Sequence, residues 1–404
     1  MPSFEEARST ILNAVSPLPT ERVMLLDAPG RVLAEDITAS ADLPLWDNSA
    51  MDGYAIKSAD CRETVTLAVT EFIPAGGIAA SAVEAGTAMK IMTGAPMPQG
   101  GDAVVPFEET EEGENWVKIS GPVKKGQHIR FRGEDVREGE VVLAAGTVLR
   151  TPEISMLATF GRVLVPVFRR ARVAILSTGD ELVEPGETLL PGKIINSNAL
   201  ALAAALKEIG ADPIILGIAR DNRESHREKI RAGLAADALI TSAGVSAGDR
   251  DFVREVLAEL GVEQLFWKID IKPGRPTAFG MKGHIPVFSL PGNPVSTMIT
   301  FEELARPALL KMMGHRRVLK PFVTAVLAEE VRKKAGRLHF LRVRVEKEEG
   351  RYIARTSGGQ DTGILRTLVR ANALAFLPPD IAIFPAGSEV QVHLLDRGFE
   401  MLEA

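Results

Sequence analysis

The sequence predicts an α/β-plus-β multidomain protein, and three observations predict it. At 404 residues the chain exceeds the usual size of a single domain. From Arg172 onward, apolar runs of strand length alternate with stretches of helical period, up to about residue 313. Between Trp46 and Val148, and again after Pro321, short apolar runs alternate with turn-forming residues and helical period is scarce. The alternating region calls for a three-layer domain of nucleotide-binding type, a parallel sheet with helices on both faces and right-handed crossovers. The other two regions call for an inserted β-rich domain and a small, β-barrel-like C-terminal domain.

Each element follows from its residues. In "SFEE", Ser3 and Glu6 have the spacing of a capping box, so a helix runs to about Val15 until "SPLP" stops it. Runs such as "TVTLAVT" and "DAVVPFEE" are strands of the inserted module, and "TPEISMLATFG" is a short helix. "RVAILS" is a buried strand, and "SNALALAAALKEIG" a helix closed by Gly210. Next come the strand "PIILGIA", the helix "RESHREKIRAGLAA", the strand "ALITSA" and the helix "DFVREVLAEL". "VEQLFWKI" and "IPVFSL" are strands, and "PVSTMITFEELARPALLKMM" is a long helix. "FVTAVLAEEV", "LHFLRVRVEK", "RYIARTS" and "EVQVHLL" supply the last β domain. The expected domains are 1–45 with 146–170 (helix and linking segments), 46–145, 171–320 and 321–404. There is no internal repeat and no low-complexity segment.

Composition narrows the function. Hydrophobic residues at 46% and charged residues at 25% suit a soluble globular protein. A net charge of −6 argues against a general nucleic-acid binder. Cys61 is the single cysteine, which excludes intrachain disulfides and thiolate-cluster metal sites and fits a reducing compartment. The six histidines include no metal-spaced pair, so any metal should be held by oxygen. The N-terminus lacks the pattern of a signal peptide, and no apolar run reaches membrane-spanning length. A cytoplasmic location is expected, with neither nucleic acid nor membrane as partner.

Ligands of open parallel sheets bind beyond the carboxyl ends of the strands. Three strand ends carry unusual residues here: "STGDEL", "TSAGVSAGDRD" and "LPGNPVS". The small-residue loop lets backbone N–H groups approach a phosphate, with the Ser242 and Ser246 hydroxyls as further donors. Asp249 and Asp251 either cap the helix that follows or help to hold Mg²⁺ beside that phosphate. In "LPGNPVS", Asn293 fits the N-cap, Pro294 fits N1 and Gly292 permits the turn, which is an ordinary helix start and also an anion site. Asp180 and Glu181 read either as turn caps or as site acids. Lys268, Lys272 and Arg275 beside the "KPG" turn match a polyanion. Together these residues describe a nucleotide or phosphoester site with a divalent cation.

In this order, "DNSAMDGYA", "IMTGAP", "RGEDV", "STGDEL", "FWKIDIKPGRP" and "LPGNPVS" resemble the molybdopterin molybdenumtransferase (MoeA) family, which includes the C-terminal E domain of gephyrin. The resemblance covers roughly Phe4 to Val392. It implies the last step of molybdenum cofactor synthesis, in which adenylylated molybdopterin and molybdate react with Mg²⁺, AMP leaves and molybdenum stays on the dithiolene. It also implies a homodimer with a site shared between subunits, supplied by a molybdopterin adenylyltransferase and other cofactor-pathway proteins.

Carried over by matching motifs, the catalytic positions are Asp52, Thr93, Asp135, Glu181, Asp221, Asp251, Lys268 and Lys272. Substrate-binding positions are Arg130, Ser242, Gly244, Ser246, Pro291, Gly292, Asn293 and Pro294. Lys272, Arg342 and Thr362 would hold molybdate, and Asp221 and Asp251 the metal. Structural alternatives stay open for Asp52 as a turn former, for Asp135 as a hairpin pin, and for Pro291 and Pro294 as shapers of their loop. No Ser–His or Cys–His pair offers a nucleophile, so attack by an oxygen of molybdate or a metal-bound water is expected. The chain departs from the family at Ala243, where Gly is usual, at Arg275 for Lys and at Thr362 for Ser, and by one extra residue between Asp251 and Lys268. Ala243 would strain the loop if that position needs positive φ. An adenylyltransferase, a scaffold and a nucleotide hydrolase are the rival readings.

Overall fold

The computed structural model describes residues 1–244 and 252–395. The chain forms two compact units. One comprises Met1–Ala34, Gly146–Arg150 and Leu164–Ala404, the other Glu35–Ala145 and Thr151–Val163.

The larger unit opens with the helix Phe4–Ala14, whose capping box is formed as the sequence predicts. Glu6 N–H donates to Ser3 Oγ, and Ser3 N–H to the Glu6 carboxylate. Its main sheet has six strands, in the order Asp212–Ala219, Arg172–Thr178, Ala238–Ser242, Ile285–Leu290, Ala278–Lys282, Glu263–Phe266. Strand alternation explains why both faces are covered. Val173, Ile175, Ala238 and Ile240 point to one side, against Leu202 and Leu206 of the helix Ser197–Glu208. Ala174, Leu176 and Leu239 point to the other, against Ile230, Val253 and Val256 of the helices Arg223–Gly233 and Phe252–Glu259. Each large aliphatic side chain among them contributes roughly 1.5–3 kcal/mol by leaving water.

Two features differ from the sequence reading. The first four strands are parallel, but Ala278–Lys282 runs antiparallel to them, and Glu263–Phe266 pairs antiparallel with it in turn. A two-residue turn of Gly283 and His284, with Gly283 at φ 59°, folds Ala278–Lys282 back as a hairpin. The second difference lies in the long helix, where a π-helical turn, Phe301–Ala305, separates Pro294–Thr300 from Arg306–Met312. Pro307, which has no N–H to give to the carbonyl of residue 303, stands just beyond it.

In the C-terminal part, the strands Leu338–Glu348, Arg351–Thr356, Val323–Leu327, Glu389–Leu394 and Ala373–Leu377 pair in sequence around a ring. Leu338–Glu348 also pairs with Ala373–Leu377, which closes a five-stranded barrel around Val343, Val345, Ala354 and Val392. Ile271–Lys272 adds to its edge, with Lys272 in register with His339.

The smaller unit is a six-stranded sheet with Thr87–Ile91 and Val65–Ile73 at its centre and Gly53–Ile56 beside Thr87–Ile91, packed on Tyr54, Leu67, Val105 and Ile119. Gly53 has a steric reason. A Cβ there would stand 2.1 Å from the Val105 carbonyl oxygen of the neighbouring strand. The helix Thr151–Thr159 belongs to this unit as well.

Candidate active site

Beyond the carboxyl ends of Arg172–Thr178, Ala238–Ser242 and Ile285–Leu290 lies a cavity of about 740 Å³. Of the expected residues it brings together Glu181, Ser242, Gly244, Lys272, Pro291, Gly292, Asn293, Pro294 and Thr362. All of them lie in the larger unit. Asp221, Lys268 and Arg342 are not among its lining residues. Ser246, Asp249 and Asp251 fall outside the described residues.

The wall nearest the sheet is small and backbone-rich for a physical reason. Gly244 has φ 73°, and a Cβ on it would meet Val253 Cγ2 at 2.3 Å. Ala243 also has positive φ, 74°, so this position does need the left-handed region and the alanine is strained there. Its N–H donates to the Leu290 carbonyl, joining two strand ends. Asn293 occupies the N-cap position with Pro294 next, as expected, but its side chain does not cap. Its amide reaches instead to Thr362 Oγ1 at 3.1 Å.

Another part of the lining carries positive charge. Lys272 and Arg275 flank the "KPG" turn, whose Lys272–Pro273 peptide is cis. Arg337, not singled out in the sequence, also belongs to the lining and pairs with Asp270 at 3.5 Å. Burial and then the charges of Lys272, Lys333 and Arg337 push the His339 imidazole down to about 4, so it is neutral near pH 7. Arg342 is buried, at 1% exposure, and its guanidinium donates to the carbonyls of Gly359 and Asp361, which precede Thr362. Burial pulls its pKa below the ordinary arginine value.

Asp180, next in the chain to the cavity-lining Glu181, exchanges bonds with Asp221. Asp180 N–H donates to Asp221 Oδ2 at 3.3 Å, and Asp221 N–H to Asp180 Oδ1 at 3.2 Å. Each carboxylate therefore keeps its second oxygen for another partner. Among the described residues no group of three or more His, Cys, Asp or Glu could hold a metal ion. Two exposed carboxylates suit a hard cation that also takes phosphate oxygens, so the donor chemistry fits Mg²⁺.

Asp52, Thr93, Arg130 and Asp135 lie in the smaller unit. Thr93 donates both its N–H and its hydroxyl to Asp52 Oδ1, each at 2.7 Å. Those two bonds hold the Asp52 carboxyl below the usual range, the backbone bond first. Arg130 is exposed, in register with Asn48, and Asp135 is exposed, its N–H bonded to the Leu43 carbonyl.

Three family models match the chain in order. The MoeA N-terminal region (domains I and II) matches residues 2–161, a probable molybdopterin binding domain 174–311, and the MoeA C-terminal region (domain IV) 324–395. A molybdopterin molybdenumtransferase of Haemophilus influenzae is 37% identical, over 98% of this chain and 100% of its own length. The chain belongs to the molybdopterin molybdenumtransferase family. Another family member, from Nostoc, is 38% identical over 97% of this chain and 93% of its own. The crystal structure of a molybdopterin biosynthesis MoeA protein from Pyrococcus horikoshii superposes with a TM-score of 0.83 at 34% identity, covering 98% of this chain and all of that one. The MoeA family thus accounts for the barrel, the three-layer domain and the β-rich unit alike. No helix among the described residues is long and apolar enough to cross a membrane.

Beyond Arg337, the sequence reading passed over Asn196 and Asn198 at the start of the helix Ser197–Glu208. The signal was present in "NSN", where two asparagines flank a serine beside a strand end, but helix starts are rich in such residues for capping alone.

Proposed function

We propose that this chain inserts molybdenum from molybdate into adenylylated molybdopterin, in a Mg²⁺-dependent reaction that cleaves the phosphoanhydride and releases AMP. The observation that carries the reading is the cavity of about 740 Å³, lined by the small-residue strand ends together with Lys272, Arg275 and Arg337. Cleaving an anhydride chiefly requires positioning and charge neutralisation. Ser242, Gly244 and the Pro291–Pro294 turn present hydroxyl and backbone groups to the substrate's phosphates. Lys272, with Arg275 and Arg337 beside it, stabilises the charge that builds as AMP leaves. Asp221, with Asp180 beside it and Asp251 as the further expected ligand, would hold Mg²⁺, which would supply neutralisation of phosphate charge.

Molybdate, a tetrahedral dianion, sits between Lys272 and the Thr362 hydroxyl. Arg342 acts on it from behind, by fixing the Gly359 and Asp361 carbonyls and so presenting Thr362. Glu181 adds a carboxylate to the cavity lining, and Lys268, outside that lining, rests on the family resemblance alone. We extend the reading to a cytoplasmic homodimer, supplied by a molybdopterin adenylyltransferase, in which the Asp52–Thr93 pair, Arg130 and Asp135 of one copy serve the partner's cavity. Family membership supports that extension, and sedimentation at micromolar concentration tests it: a monomer rejects it.

The activity test gives purified protein adenylylated molybdopterin, molybdate and Mg²⁺, then quantifies AMP and active cofactor. Equal amounts of both are expected. AMP without cofactor would make the chain a hydrolase, and neither product would leave a binding scaffold.

A further inference from the structure

Asn198 stands in the first turn of the helix Ser197–Glu208 and lines the cavity, yet carries no charge and matches no catalytic residue type. Its side-chain nitrogen donates to Ser242 Oγ at 2.8 Å and to the Gly292 carbonyl at 2.7 Å. The amide orientation is fixed by chemistry. A carbonyl oxygen only accepts, so the atom facing Gly292 is Nδ2, and its second hydrogen goes to Ser242. One residue of a helix thus joins the end of Ala238–Ser242 to the turn that opens the helix at Pro294.

The consequence lies with the Ser242 proton. A hydroxyl has one hydrogen to give and two lone pairs to receive with. Asn198 occupies a lone pair, and among the described residues no acceptor takes the Ser242 hydrogen. Ser242 also lines the cavity. We propose that Asn198 is a positioning residue that, by holding one Ser242 lone pair, orients the hydroxyl to donate to an anionic phosphate group in the cavity and sets its distance from the Gly292 turn. The proposal deepens the phosphoanhydride reading above and rests on it for the identity of the anion.

The proposal separates two substitutions of the same residue. In Asn198→Ala the hydroxyl is free to rotate, and affinity for the anion weakens. In Asn198→Asp the introduced carboxylate accepts the Ser242 proton, turns the donor away from the anion and adds a negative charge. A side chain that merely packs would tolerate the isosteric change better than truncation.

The test measures AMP binding by calorimetry and substrate KM by AMP release, on full-length protein with Mg²⁺ present. Asn198→Ala should weaken both by roughly tenfold, the loss expected for one charge-assisted bond. Asn198→Asp should be weaker still near pH 8. Relative to wild type it should recover as pH falls through the carboxyl's titration, because the protonated acid no longer takes the Ser242 proton; Asn198→Ala should show no such recovery. Thermal midpoints separate folding damage from lost affinity. An Asn198→Asp variant that binds AMP as well as Asn198→Ala at pH 8, or variants whose melting temperatures fall while Kd and KM stay put, would overturn the proposal. Wild-type protein that binds AMP in this Asn198-dependent way but makes no cofactor would reject the proposed activity while supporting the positioning role. Wild-type protein that binds no AMP would reject both.

Discussion

Asn293 donates its side-chain amide to Thr362 Oγ1 at 3.1 Å, so the turn before Pro294 is tied to the loop following the barrel strand Arg351–Thr356. A residue placed to cap a helix thereby connects the phosphate wall to the residue expected to meet molybdate. Thr362→Ala removes both the acceptor and the hydroxyl. Molybdenum insertion should fall by about tenfold or more, as misplacement of a reacting group commonly costs. The thermal midpoint should hardly move, because the bond is exposed and worth under about 1 kcal/mol. Thr362→Ser should retain most activity, and steady-state turnover at limiting molybdate reads the difference.

The Asp52–Thr93 pair makes a pH prediction. Thr93 favours the ionised carboxylate by donating twice to it, and Thr93→Val removes the hydroxyl donor while leaving the backbone one. The Asp52 pKa should then rise towards its ordinary value. If ionised Asp52 is required, the acid limb of the rate profile moves to higher pH, and activity lost at low pH is regained on raising it. A pH–rate profile of the variant checks the direction, and an unmoved acid limb would remove Asp52 from the reaction.

Ala243 offers a stability prediction. A non-glycine residue at φ 74° carries roughly 1–2 kcal/mol of strain, whereas glycine's extra freedom in the unfolded chain costs roughly 0.5–1 kcal/mol. Ala243→Gly should therefore be neutral to stabilising, by up to about 1 kcal/mol. Ala243→Val should destabilise, since a β-branched side chain tolerates that region less well. Chemical denaturation of both variants decides it.

Cys61 should be inert in the folded protein. It is fully buried, and burial, with Asp60 and Asp102 nearby, pushes its thiol up to about 11, leaving almost no thiolate near pH 8. Iodoacetamide should label it only after denaturant unfolds the smaller unit, as mass spectrometry would show. Rapid labelling of native protein would contradict the packing described.

These residues also show how much the sequence revealed. Capping chemistry is local, so Ser3 and Glu6 announced the first helix correctly. The unbroken apolar runs in "RVAILS" and "ALITSA", set between helical stretches, announced strands covered on both faces, because a strand buried on both sides needs apolar residues at successive positions. The Gly283–His284 turn was equally local but went unread, and with it the antiparallel part of the sheet. The strand Ala373–Leu377 closes the barrel by pairing with a strand some 30 residues earlier, a partnership no local pattern reports. At the site, charge and motif located the cavity's walls, but not the individual bonds. Asn198 and Asn293 carry residue types that serve caps everywhere; what distinguishes them is which loops the fold brings within reach. Arg342 was expected to hold molybdate by its match to the family motif, and its burial against the Gly359 and Asp361 carbonyls emerges only in three dimensions.

The most direct test is a crystal structure of the protein with AMP and Mg²⁺ bound. The phosphate should lie within hydrogen-bonding distance of the Ser242 hydroxyl, against the Pro291–Pro294 turn and facing Lys272. A phosphate bound instead in the separate cavity lined by Arg31, Arg169, Arg170 and Arg172, with the cavity beside Ser242 empty, would contradict the proposed chemistry.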